Sequence, residues 1–157
     1  MRSWQSVLFI TAVLHSGFPA AADAPLTQPV MFTLGAVSYA TRLPAKAVLQ
    51  ASADTRSVTI RDLSESMRLE RTLVLTLDAR AAKFDRTVRL RDGNSLTFRE
   101  DDDTGGGSGG PTAELSGMMT LGNVPLFVTC TDQGEWSRDP RWCLPILEEL
   151  KIAAPVR

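Results

Sequence analysis

Histidine is almost missing from this chain: the one copy in 157 residues is His15. It falls inside a stretch that reads as a secretory leader, so the mature protein is expected to carry none. That removes the general base of Ser-His-Asp and Cys-His nucleophiles and the usual ligand of zinc and iron sites. Cysteine is nearly as scarce, with Cys130 and Cys143 alone. Two thiolates cannot complete a four-coordinate metal site without further ligands. In an exported protein the pair most simply forms one disulfide, closing a loop of about 14 residues and stabilising by roughly 3 kcal/mol. Oxidised cysteines also exclude thiol catalysis. Net charge is small, since 17 basic and 18 acidic residues give −1. The balance gives no overall electrostatic reason to bind nucleic acid or an anionic membrane, which leaves only a local patch to do either, and no nucleic-acid partner is expected.

The leader is read from Arg2, the apolar run Val7 to Leu14 and the small residues Ala20-Ala21-Ala22, the pattern that signal peptidases cut. The run is far shorter than the roughly 20 residues needed to span a bilayer. Cleavage is expected before Asp23, because a cut after Ala24 would place Pro25 directly after the scissile bond. No cysteine follows the run, so no lipid anchor is indicated. The expectation is a periplasmic protein with no membrane insertion after cleavage. Residues 1–22 are then the leader, residues 23–29 an extended segment broken by Pro25 and Pro29, and residues 30–157 a single α+β domain with a flexible loop at 100–112 around Gly105 to Gly110.

Period-two patterns dominate the domain. Val30–Leu34 and Val37–Leu43 read as a strand pair reversing at Gly35, and Ser57–Leu63 as a further strand. Leu69 to Leu77 places Leu69, Arg71, Leu73, Leu75 and Leu77 on one face, with Arg71 marking a rim. Asp92-Gly93-Asn94 predicts a hairpin in which Val88 and Leu90 face Leu96 and Phe98, and Gly122-Asn123 a second one joining Glu114–Leu121 to Val124–Thr131. The period then changes: Cys143, Ile146, Leu147 and Leu150 make one helical stripe. Asp139-Pro140 offers a cap and start, but Pro145 pushes the helix proper to about Cys143–Lys151. The fold class is therefore α+β, a mainly antiparallel sheet of short strands and hairpins with a carboxy-terminal helix packed on it and one disulfide.

For an enzyme, what remains is a carboxylate pair of the glycosidase kind or a Ser-Lys dyad on Lys46, Lys83 or Lys151. Neither shows a signature, so a non-enzymatic binding protein without cofactor or metal is expected. Its candidate partner-binding residues are Glu100, Asp101, Asp102 and Asp103, an acidic run opening into the glycine loop, and Trp136 and Arg138 in the cysteine loop. Such a run is either a solvated loop or an acidic finger for a basic or metal-containing groove. It matches only a fragment of a calcium-binding loop and lacks the distal Glu. Aromatic and Arg residues on a constrained loop are typical interface anchors, and Trp142 is expected to be buried.

Glu114-Leu115-x-Gly117, Leu121-Gly122-x-Val124, Val128-Thr129-Cys130-Thr131 and Trp142-Cys143-x-Pro145-Ile146-Leu147 together resemble small periplasmic immunity proteins of bacterial type VI secretion systems. The order of sheet and helix is also similar to the Mog1/PsbP-like fold. The immunity resemblance implies a protein that neutralises a cognate secreted effector, commonly a muramidase or amidase of the cell wall, by plugging its groove. Interface residues in such proteins vary with the toxin, so the resemblance assigns none here. The rival class is an envelope assembly or structural accessory protein that binds a component of a secretion or cell-wall machine.

Overall fold

The computed structural model describes residues 25–63, 70–80, 82–103, 111–133 and 138–153; the expected leader, residues 1–22, lies outside them. Among the described residues, ten strands form two antiparallel sheets, joined by one short α-helix. Strands β1 (Leu26–Leu34), β2 (Val37–Pro44) and β10 (Lys151–Ile152) form the smaller sheet in the order β1-β2-β10. The larger has the order β3-β4-β5-β9-β8-β7-β6, from β3 (Ala47–Ala51), β4 (Ser57–Asp62), β5 (Glu70–Thr76), β6 (Arg86–Arg89), β7 (Ser95–Asp103), β8 (Thr112–Leu121) and β9 (Val124–Gln133). The α+β reading therefore holds, with two sheets where the pattern suggested one.

The alternating sequences fold as their period dictates. Val58 and Ile60 of β4, Leu73 and Leu75 of β5, Leu126 and Val128 of β9, and Leu115 and Met119 of β8 are all buried on the inner face. Phe32, Leu34, Tyr39 and Leu43 of the small sheet close over them, with the Phe32 and Tyr39 rings stacked 5.7 Å apart. Gly35 makes the β1–β2 reversal at φ +59°, a backbone state closed to most side chains. Gly122, at φ +60°, does the same between β8 and β9, whose register runs from Leu121↔Val124 to Thr112↔Gln133. The Asp92-Gly93-Asn94 turn is present and sets Val88 opposite Leu96, but Leu90 lies in the turn and Phe98 faces Arg86 instead.

Three local expectations are corrected. β1 begins at Leu26, paired with Pro44, so the segment expected to be merely extended contributes a paired strand. Residues 100–103 and 112 belong to β7 and β8, which pair as far as Asp103↔Thr112. The connection between these strands is thus shorter than the expected loop, and its glycines lie outside the described residues. The final helix is shorter as well. Asp139 accepts a hydrogen bond from the Arg141 N–H and caps a 3-10 turn, Pro140–Cys143, which leads into α1 (Leu144–Glu149) with Pro145 harmlessly in its first turn. The stripe Cys143, Ile146, Leu147 and Leu150 is buried as its spacing predicted. The Thr41 hydroxyl donates to the Ile146 carbonyl at 2.9 Å, fixing the helix to β2.

Candidate functional site

Strand alternation divides the acidic run between two faces. Register places Asp102, Ala113, Asp132, Arg71 and Asp62 side by side across five strands on the inner face, one rung beyond Glu100, Leu115, Cys130 and Leu73. Asp101 and Asp103 point the other way. Carboxylates that alternate between faces do not converge on one ion, and no group of three or more His, Cys, Asp or Glu side chains is placed to hold a metal among the described residues.

Glu100, Asp101 and Asp102 each meet an arginine, while the side chains of Asp101 and Asp102 stay exposed. Glu100 is the anchor. Its carboxylate, 19% exposed, bonds Arg86 of β6 and takes two hydrogen bonds from Arg141 of the 3-10 turn. The Arg141 hydrogen bonds, with the charges of Arg141 and Arg86, hold the Glu100 carboxyl below the usual range against the opposing effect of burial. Asp102 pairs with Arg138 at 3.2 Å and Asp101 with Arg99 at 3.0 Å. The run thus fastens the turn at Arg138–Arg141 to the edge of the sheet, a coupling between residues about 40 apart in the chain that spacing could not reveal.

Beneath this network the chain places a buried ion pair. Arg71 donates to Asp132 at 3.2 Å, and Asp132, fully buried, also accepts the Asp139 N–H at 3.0 Å. Its second oxygen has no partner among the described residues. Arg71 lies 6.0 Å from the centre of the Trp142 ring, whose indole N–H donates to the Thr131 carbonyl at 3.0 Å. Arg71, expected to mark the rim at this end of the strand, keeps its side chain only 11% exposed. Trp142 is buried as expected.

Cys130 on β9 and Cys143 at the end of the turn meet here, both fully buried. The expected bridge is not formed: Cys130 and Cys143 are free, their sulfurs 2.6 Å apart, longer than the roughly 2.05 Å of a bond. Burial, followed by the neighbouring Cys143, pushes the Cys130 thiol well up, which keeps it protonated and poorly nucleophilic. Trp136 lies outside the described residues. Sequence reading missed Glu100 as a double arginine acceptor, the Arg71–Asp132 pair and the contribution of Arg86. Arg86 carried a signal in hindsight, standing just before a hairpin whose partner strand ends in acids.

The other face of the larger sheet is polar and is crossed by the chain between β5 and β6. Strand order forces this connection over β9, β8 and β7. Arg80, Phe84 and their neighbours form a strap over a pocket of about 170 Å³ whose floor includes Arg99, Ser116, Phe127 and Thr129.

These features define a small two-sheet α+β domain whose acidic run is paired to arginines of the same molecule and whose thiols are buried. The family profile of the type six secretion immunity 3 domain matches residues 41–151. The match takes in every strand of the larger sheet, both cysteines and α1. The chain belongs to that family and is a type VI secretion immunity protein, made to bind a cognate secreted effector. No curated protein matches the chain.

Proposed function

We propose that this protein acts in the periplasm, where it binds a cell-wall-degrading effector, a muramidase or amidase, and occludes its active-site groove without catalysing any reaction itself. The observation that carries the reading is the match to the type six secretion immunity 3 domain over residues 41–151. The leader-like sequence of residues 1–22 supports the compartment, and an effector met there has the cell wall as its nearest polymer. Stoichiometric inhibition is supported by the site's chemistry, in which Glu100 is neutralised by two arginines and the Cys130 thiol is held protonated. The surface offered to the effector is the far end of β7, with Glu100, Asp101, Asp102 and Asp103 beside Arg138, together with Trp136, two residues before Arg138 in the sequence. Prior neutralisation by arginine suits such an end to docking, because a pre-ordered charge network loses little freedom when a partner covers it.

The test is co-expression with the product of the adjacent toxin gene, followed by fractionation and a peptidoglycan digestion assay. A complex recovered from the periplasm that abolishes digestion at one-to-one stoichiometry is the expected result. A complex confined to the cytoplasm, or an effector that leaves peptidoglycan intact, would overturn the compartment and the target respectively. Turnover of peptidoglycan by the purified protein alone would overturn the non-enzymatic reading.

A further inference from the structure

Among the described residues, four strands stand at sheet edges, β1 and β10 in the smaller sheet and β3 and β6 in the larger. An open edge presents unpaired backbone N–H and C=O groups, and it accepts another strand unless charge, proline or shortness prevents it. Three of the four are guarded in this way. β1 carries Pro29, β6 has Arg86 and Arg89 at its two ends, and β10 has only two residues. β3, Ala47-Val48-Leu49-Gln50-Ala51, has neither charge nor proline, and its Val48, Gln50 and Ala51 are exposed. Val48, 53% exposed, and Leu63, 55% exposed and just past the Ala47↔Asp62 pair, add apolar surface at the same edge.

Hydrogen bonding fixes which residues of β3 face outward. The Ser52 N–H donates to the Ser57 carbonyl at 2.9 Å, and on the other side of β4 the Leu77 N–H donates to the Arg56 carbonyl at 2.9 Å. In an antiparallel ladder such pairs alternate with pairs whose backbone groups turn away. The register Leu49↔Ile60 and Ala51↔Val58 therefore turns Leu49 and Ala51, like Ala47, toward the open edge. Ala47 is only 6% exposed, which leaves Leu49 and Ala51 to receive a neighbour. Two copies meet these conditions when they run antiparallel about a twofold axis at Gln50. Leu49 of each then exchanges backbone hydrogen bonds with Ala51 of the other, a large side chain opposite a small one, and the two uncharged Gln50 side chains stand face to face. The same register carries Lys46, exposed and in no ion pair among the described residues, to the turn of the second copy that holds the exposed Asp54.

We propose that β3 joins a second copy of this chain edge to edge, so that the larger sheets of two molecules run on as one. A contact this short buries well under the roughly 1,200–2,000 Å² of a stable interface, so the dimer is weak and forms as concentration rises. Strands β4, β5, β9 and β8 separate β3 from β7, about 24 Å at roughly 4.8 Å per strand, and self-pairing leaves the end of β7 open. On the immunity reading above, each copy still holds one effector, and the complex at high concentration is two-to-two.

Sedimentation velocity of the full chain should show monomer at micromolar concentration and a dimer growing toward millimolar. Gln50→Lys sets like charges opposite each other at an exposed position, so the melting temperature of dilute protein should hold while self-association weakens at least about tenfold at low salt. Gln50→Cys should cross-link two chains under copper phenanthroline, because the facing Cβ atoms would stand about 4.5–5.5 Å apart. Val48→Cys, which meets Ser52 of the second copy, should not. A wild-type chain that stays monomeric throughout would overturn the proposal, as would a Gln50→Lys variant that dimerises like the wild type. Cross-linking through Val48→Cys and not through Gln50→Cys would overturn the register. Loss of effector binding in Gln50→Lys beside a monomeric wild type would assign the edge to a strand of the effector instead. Dimerisation is read without the effector, so it stands or falls apart from the immunity reading.

Discussion

Replacing Glu100 by Gln separates what the acidic run does for the fold from what it does for a partner. The substitution keeps the shape and a weaker acceptor but removes the charge that Arg86 and Arg141 share. Hydrogen bonds to a charged group contribute about 1.5–3 kcal/mol when shielded, and half-exposed ion pairs only about 0.2–1 kcal/mol. The carboxylate is mostly covered while both arginines are about half exposed, so the expected loss lies between these limits, about 1–2 kcal/mol at pH 7. That corresponds to a fall in melting temperature of roughly 3–6 °C for a domain of this size. The pH dependence has a definite sign. The folded-state pKa of Glu100 is lowered, so its contribution is full above the unfolded carboxyl range near pH 4 and disappears as pH falls through the folded value. Urea unfolding of both proteins from pH 7 to about pH 2 should show the two stabilities converging under acid. A double-mutant cycle with Arg141→Gln should give a coupling of about 0.5–1.5 kcal/mol. A loss under about 0.3 kcal/mol at pH 7, or one that persists undiminished in acid, would refute the assignment of Glu100 as anchor.

Other substitutions probe other parts of the same argument. Changing Asp101, Asp102 and Asp103 together to Asn should cost under about 1 kcal/mol, since these are surface pairs, while slowing association with the effector; a large stability loss would mean that the network is structural throughout. Gly117→Ala should destabilise by about 1–3 kcal/mol, because the added methyl would stand 2.8 Å from the Thr97 carbonyl and 3.0 Å from Phe98, and thermal unfolding measures it. Thiol titration should find Cys130 and Cys143 unreactive in the folded protein and two free thiols per chain after unfolding, since both are buried; ready reaction in the folded protein would refute the shielding.

Much of the fold was legible because burial on one face of a strand writes itself into alternate residues, and burial of a helix into every third or fourth. Leu73 with Leu75, the Gly122-Asn123 turn and the stripe from Cys143 to Leu150 are local patterns of this kind, and they were found where the sequence put them. Proximity of the two cysteines was legible too, from their bracketing of a hairpin end and a helix start. The pairing of strands remote in sequence was not. Nothing local shows that β5 lies beside β9, or that the chain must then cross three strands to reach β6. For the same reason the charges misled. Glu100 through Asp103 looked like one repelling run, whereas a strand sends alternate residues to opposite faces and the arginines that answer them come from β6 and from the turn at Arg138–Arg141. Composition settled that the chain carries almost no net charge, but only the tertiary structure decided which charges cancel within the molecule and which are left for a partner, because Coulomb energy depends on separation in space rather than along the chain.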